Sequence, residues 1–229
     1  MKHLGEVPAG KSPDGVLYDS FSGRVFAFNH HGDNVTVFGA SDGKVASTIA
    51  LEGEPEFPVN DEKGSVWVNL ENKSTLVRLD AQSLKETGRW PTAPCEAPSS
   101  MAIDRERRRL FIGCNNQLMA VVNADTGQII TTLPIGPHVD ATAFDRERDL
   151  IFNANNGSVT VIHRDSADQY SLVETVTTQV KANTLAVDPK THRVYLPSAE
   201  WTTPKSTAEA PHPVPSRVPG TFKILVLGK

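Results

Sequence analysis

The chain has 229 residues, 23 basic and 27 acidic, and a formal net charge of −4. That balance excludes the strongly basic surface on which non-specific nucleic-acid binding depends, so nucleic acid is not an expected partner. No run of about 18 apolar residues occurs, so no membrane-spanning helix is expected, and the N-terminus lacks the apolar stretch of a secretory signal.

Taken in order, the predicted elements repeat. A short apolar segment closes on Asp19; Val25-Phe26 marks a second strand, residues 35–38 a third, and residues 45–51 a fourth, entered through the turn Ser41-Asp42-Gly43. The next unit closes its first segment on Asp61 and continues with Val66-Trp67, residues 76–79 and residues 86–90. A third unit runs from Asp104 through Leu110-Phe111, residues 119–122, the turn Asp125-Thr126-Gly127 and residues 129–134. The fourth has Asp145, Ile151-Phe152, residues 159–162 and residues 171–176, and the fifth has Asp188, Val194-Tyr195 and residues 224–227. The glycines of the two turns suit the positive φ of tight hairpins.

Four short antiparallel strands recurring every ~42 residues is the pattern of a propeller blade, whose sheet cannot bury both faces alone. The expected fold is therefore all-β: a single β-propeller domain over residues 1–229, with five four-stranded blades at 13–53, 54–95, 96–136, 137–180 and 181–229. A β-sandwich of evenly spaced strands is the alternative. The fifth unit stops after its third strand, while residues 4–10 read like residues 130–136. Residues 2–8 are thus expected to close the ring as the outermost strand of the last blade, covering an edge that would otherwise invite aggregation.

The phrases Pro13-Asp14-Gly15-Val16-Leu17-Tyr18-Asp19, Asn34-Val35-Thr36-Val37, Ala124-Asp125-Thr126-Gly127 and Leu185-Ala186-Val187-Asp188-Pro189-Lys190-Thr191-His192-Arg193-Val194-Tyr195 run across the whole chain. In them the sequence resembles the YVTN-type repeat β-propellers, relatives of the lactonase-like and WD-type propellers. The resemblance implies blade structure, not an activity. Such proteins commonly carry about seven blades and an export signal, so this chain departs from the pattern in both respects.

In a propeller the connection into each first strand and the loop between second and third strands lie on one face around the axis, where ligand sites open. The first set carries Asp14, Glu56, Glu96, His138 with Asp140, and Asn183. The second set is equally polar: Asn29-His30-His31-Gly32-Asp33-Asn34, Asn69-Leu70-Glu71-Asn72, Asn115-Asn116 and Asn153-Ala154-Asn155-Asn156. Carboxylates and amides meeting on an axis are hard oxygen ligands, so Asp14, Glu56, Asp140 and Asn183 are the expected ligands of Ca²⁺ or Mg²⁺. Gluconolactonase-type propellers hold a divalent ion in a comparable way. Capping of turns is the competing role for these side chains. His30 and His31 are neighbours whose side chains point to opposite faces if the backbone is extended, so one ion takes both only if the loop turns.

No zinc-type Cys/His spacing occurs. Arg105, Arg107, Arg108 and Arg109, with Arg146 and Arg148 one unit on, are interleaved with Glu106, Glu147 and Asp149 and are expected to be solvated hairpin charges. The segment 200–220 holds five prolines, and its Trp201 and His212 either line a covered pocket or latch onto the next blade. Cys95 and Cys114 fall at neighbouring strand ends of one blade; a disulfide is expected, two buried thiols being the alternative. Such a bond places the protein in the periplasm or outside the cell.

The functional expectation is a propeller that binds a small polar molecule or a protein partner without catalysis, as a monomer or weak dimer, with Asp14, His30, Glu56, His138, Asp140, Asn183 and Trp201 as binding residues. The rival is a metal-assisted hydrolase acting on a lactone or related ester, with an Asp or Glu as base.

Overall fold

The computed structural model describes residues 2–202 and 214–228. Each repeat unit folds as one antiparallel sheet. The first contains β1 (Pro13–Asp19), β2 (Arg24–Asn29), β3 (Asn34–Gly39) and β4 (Val45–Ala50), and the second β5 (Pro55–Asn60), β6 (Ser65–Leu70), β7 (Thr75–Asp80) and β8 (Lys85–Pro91). The third is formed by β9 (Pro98–Asp104), β10 (Arg109–Cys114), β11 (Leu118–Asn123) and β12 (Ile129–Pro134), and the fourth by β13 (Ala141–Asp145), β14 (Leu150–Asn155), β15 (Ser158–Arg164) and β16 (Tyr170–Thr177). In the fifth, β17 (Ala186–Val187) pairs with β18 (Val194–Ser198); a small ribbon, β19 (Trp201–Thr202) with β20 (Ser216–Arg217), follows, and β21 (Lys223–Leu227) returns to pair with β18. The first strands stand side by side in chain order, β1, β5, β9, β13 and β17, which is the arrangement of a β-propeller. Among the described residues no helix is long and apolar enough to cross a membrane.

The second strands explain why the sequence shows runs rather than alternation. Successive side chains of a strand point to opposite faces, and here both faces are covered by neighbouring sheets. Val66 and Val68 pack toward the first sheet, with Phe26 and Phe28, whereas Trp67 between them packs toward the third. The same division repeats in β10, where Leu110 and Ile112 face the second sheet and Phe111 the fourth. Fully burying side chains of this size contributes roughly 1.5–3 kcal/mol each, so the four apolar layers between consecutive sheets supply the main stabilisation. Trp67 also donates its indole N–H to the carbonyl of Ala124, 3.0 Å away just past β11 of the third sheet.

The repeated aspartates do two jobs. Within its own hairpin each accepts backbone N–H groups: Asp61 from Lys63 and Ser65, Asp104 from Glu106 and Arg107, Asp145 from Glu147 and Arg148. The remaining oxygen faces the next sheet. Asn60 Nδ2 donates to Asp19 Oδ1 at 3.2 Å, Arg108 Nη1 to Asp61 Oδ2 at 2.7 Å, Arg164 to Asp104, and His192 Nδ1 lies 2.7 Å from Asp145 Oδ2. The arginine-rich hairpin expected to be solvated is therefore partly a stitch between sheets: Arg108 joins Asp61 and Asp125, and Arg105 bonds the Asn60 carbonyl. Its spacing in sequence carried no sign of this, because the acceptors lie one repeat away.

The expected closing strand is not seen. Among the described residues the fifth sheet has three strands, and residues 2–10 carry no strand. Val7 lies against Gly43 of the first sheet, where a Cβ would meet it at 3.3 Å, and no backbone bond joins residues 2–8 to β21 among the described residues. The likeness of residues 4–10 to 130–136 nonetheless has a structural counterpart. Gly10 sits so close to Asn29, and Gly136 to Asn155, that a Cβ would meet those side chains at 2.6 and 2.8 Å.

Cys95 and Cys114 form a disulfide with Cα atoms 5.5 Å apart, inside the apolar layer between the second and third sheets. Replacing both by serine should cost about 3 kcal/mol of unfolding free energy, the value for releasing a loop of this length, as measured by urea denaturation. The buried Arg164, held by Asp104 and Asp149, gives a second expectation. Arg164→Ala should cost about 3 kcal/mol by leaving the buried Asp104 carboxylate to the more distant Arg107 guanidinium, 3.8 Å away, whereas Glu106→Ala on the exposed hairpin should stay within about 0.5 kcal/mol in the same assay.

Candidate functional site

A cavity of about 370 Å³ opens where the first strands meet, lined by Asp14, Glu56, Phe57, Asp140 and Thr184 among others. Irregular strand pairing turns the two acidic strand residues inward. The β1–β2 register shifts between Pro13 and Gly15, bracketing Asp14, and the β5–β6 register shifts between Pro55 and Pro58, bracketing Glu56. Such shifts re-aim side chains at strand ends. Asp140 precedes β13, its N–H bonded to the Ala154 carbonyl at 3.1 Å, and the chain reaches it through a left-handed turn at His138 with φ of 52°.

The site is electrostatically frustrated. Burial raises the Glu56 carboxyl from its usual 4.5 to about 7; Glu71, Asp14 and Asp140 push the same way, and His30 opposes them. Asp140 is raised by burial and by Asp14. Glu71 is raised chiefly by burial, while His30 and a 2.7 Å hydrogen bond from Asn115 Nδ2 hold it back. His30 Nδ1 stands 3.0 Å from Glu56 Oε1, with both side chains 17% exposed. Donor atoms of Asp14, His30 and Glu56 lie within 4.8 Å of one another. Three carboxylates thus face a shared space beside the His30 ring, an oxygen donor set that fits a divalent cation.

Of the residues expected from sequence, Asp14, Glu56 and Asp140 line this cavity, and His30 adjoins it through Glu56. From the fifth sheet the lining residue is Thr184, the neighbour of Asn183. His138 and Glu96 are exposed and do not line it. Trp201, 41% exposed, lies away from the cavity with the Lys181 ammonium 4.0 Å from its ring centre; His212 lies outside the described residues. Three loop asparagines tie their loop to a segment entering a first strand: the Oδ1 atoms of Asn72, Asn116 and Asn156 accept the N–H of Glu54, Glu96 and Lys181. Glu71 was marked in sequence only as a member of the polar loop 69–72, and Glu54 was not singled out.

No known protein family matches the sequence, and no curated protein does. Solved structures match by shape. A candidate 6-phosphogluconolactonase of Bacteroides uniformis ATCC 8492 aligns over 73% of this chain and 55% of its own, with 10% identity and a TM-score of 0.64. The hydrazine synthase of Kuenenia stuttgartiensis aligns over 99% of this chain and 65% of its own, with 15% identity and a TM-score of 0.71. The chain therefore spans between half and two thirds of the length of these neighbours. At these identities the likeness concerns the fold.

The raised Glu56 carboxyl predicts a pH signature. A group whose folded-state value exceeds its unfolded one binds extra protons in the native state, so stability falls as pH rises from 4.5 and the loss is complete above about 7. Glu56→Gln removes the charge, so its melting temperature should match that of the unmodified protein near pH 4 and exceed it near pH 8.

Proposed function

We propose that the chain works as a five-bladed, single-domain propeller related to the YVTN-type repeat proteins, and that it binds a divalent cation of the Ca²⁺ or Mg²⁺ class, with a small polar ligand, in the axial cavity. The observation that carries this is the meeting of Asp14, Glu56 and Asp140, from three repeat units, in one cavity where burial and neighbouring carboxylates raise Glu56 and Asp140. A cation relieves that repulsion, and hard oxygen donors prefer those ions. Asn183 is retained as a ligand reached by a small adjustment of the segment that holds Thr184. Hydrogen bonds to backbone N–H groups account for Asn72, Asn116 and Asn156 but not for these carboxylates. The Cys95–Cys114 disulfide supports an oxidising compartment, periplasmic or extracellular.

A second reading, metal-assisted hydrolysis of a lactone, is favoured by the candidate 6-phosphogluconolactonase among the structural neighbours and by a carboxylate, Glu56, in the axial cavity beside His30. In it the ion would polarise the lactone carbonyl while Glu56 takes a proton from the attacking water.

Thermal unfolding of chelator-treated protein with added Ca²⁺ or Mg²⁺ tests the binding reading. Stabilisation should follow mass action, about 2.7 kcal/mol at a hundredfold excess over Kd. Asp140→Asn should abolish it. Cation-dependent turnover of a sugar δ-lactone, lost in Glu56→Gln, would select the hydrolase reading; binding without turnover selects the non-catalytic one.

A further inference from the structure

The two adjacent histidines do not point apart. His30–Gly32 form a single 3-10 turn, and Asp33 after it takes the left-handed conformation with φ of 51°. The turn brings both rings to one side, their centroids 4.6 Å apart and their planes inclined by 58°. Glu54, from the segment entering the second sheet, meets them there. His30 Nε2 lies 4.0 Å from Glu54 Oε2 and His31 Nδ1 3.9 Å from Glu54 Oε1. Donor atoms of all three residues fall within 4.8 Å of one another.

The backbone on both sides is fixed. His30 donates its N–H to the Ser12 carbonyl at 2.8 Å; Glu54 donates to Asn72 Oδ1 at 3.0 Å, and its carbonyl accepts the Glu71 N–H at 2.9 Å. The other nitrogen of His30, Nδ1, is buried without a well-formed hydrogen bond, and its near neighbour is the Glu56 carboxylate. A carboxylate beside one ring nitrogen keeps the proton there and leaves the other lone pair free for a metal. Here that free lone pair is on Nε2, toward His31 and Glu54.

We propose that His30, His31 and Glu54 form a three-ligand site for a divalent transition metal of the zinc class, separate from the oxygen-donor set of the axial cavity. Two imidazoles and one carboxylate suit such ions and leave a fourth position for water or a ligand oxygen. Ligand atoms around zinc stand roughly 3.4 Å apart at bonds of about 2.1 Å. Rotation of the His31 and Glu54 side chains, 53% and 33% exposed, closes the remaining gap. Glu56 acts as a positioning residue through His30.

The test is calorimetric titration of chelator-treated protein with Zn²⁺, together with the visible absorption of the Co²⁺-loaded protein. One equivalent should bind, and Co²⁺ should give the intense bands of low-coordinate geometry. His31→Ala and Glu54→Gln should each weaken zinc binding by at least ~100-fold, and Glu56→Gln by roughly 10–100-fold, the usual effect of removing a carboxylate behind a histidine ligand. Asp140→Asn should leave zinc affinity unchanged while removing the Ca²⁺ or Mg²⁺ response, so the two sites fail separately. Melting curves confirm folding of each variant, and His31→Asn replaces His31→Ala if that variant does not fold. Unchanged zinc affinity in a folded His31 variant, or displacement of Co²⁺ by excess Ca²⁺, would overturn the proposal.

Discussion

A buried carboxylate with two acceptor atoms must satisfy both, because a charge left without partners in the interior costs several kcal/mol. In this chain the repeated aspartates solve that problem identically at Asp19, Asp61, Asp104 and Asp145. One oxygen closes the hairpin of its own sheet, and the other takes a donor from the sheet that follows. The donor changes from Asn60 to Arg108, Arg164 and His192, yet the geometry is kept. Each aspartate thereby couples a local turn to the angle between sheets. Asp188 bonds only within its own hairpin among the contacts described, to Lys190 N and Thr191 Oγ1.

The apolar layers depend on that coupling. A strand such as β6 or β10 places alternate residues into two different layers, so a sheet rotated relative to its neighbour would misplace both sets at once. Polar stitches at the hairpin end and the Trp67 bond to Ala124 set the rotation, and close packing of Phe26, Val66, Leu110 and their neighbours supplies the energy. The disulfide adds a covalent constraint in the layer between the second and third sheets.

The axial face obeys a different rule. Here the first strands start irregularly, and Asp14, Glu56 and Asp140 are brought near one another without arginine or lysine among the groups acting on Glu56. A fold that pairs its other buried acids carefully leaves Glu56 and Asp140 facing further carboxylates. Arrangements of that kind cluster at functional sites, because raised acids are stabilised when a cation or proton arrives. His30 stands at the junction, with one nitrogen toward Glu56 and the other toward Glu54.

By itself the sequence determined the repeat, the strands of each unit and the glycine turns, because these depend on residue type and local spacing: Gly43 and Gly127 adopt φ of 66° and 70° as hairpins of that kind require. It also placed Asp14, Glu56 and Asp140 at one face, since equivalent positions of a repeat land on equivalent sites. Partners one repeat away were decided only by the tertiary structure. Arg108 reads as a surface charge until the sheets are stacked and Asp61 is beside it. The single turn that brings His30 and His31 together was likewise invisible, because an extended backbone and a 3-10 turn are both open to that loop until the contacts of Ser12 and Glu54 select one. The path of residues 2–10 was decided the same way: their resemblance to residues 130–136 fixed the close approach at Gly10 but not a pairing with β21, which requires two segments far apart in the chain to meet.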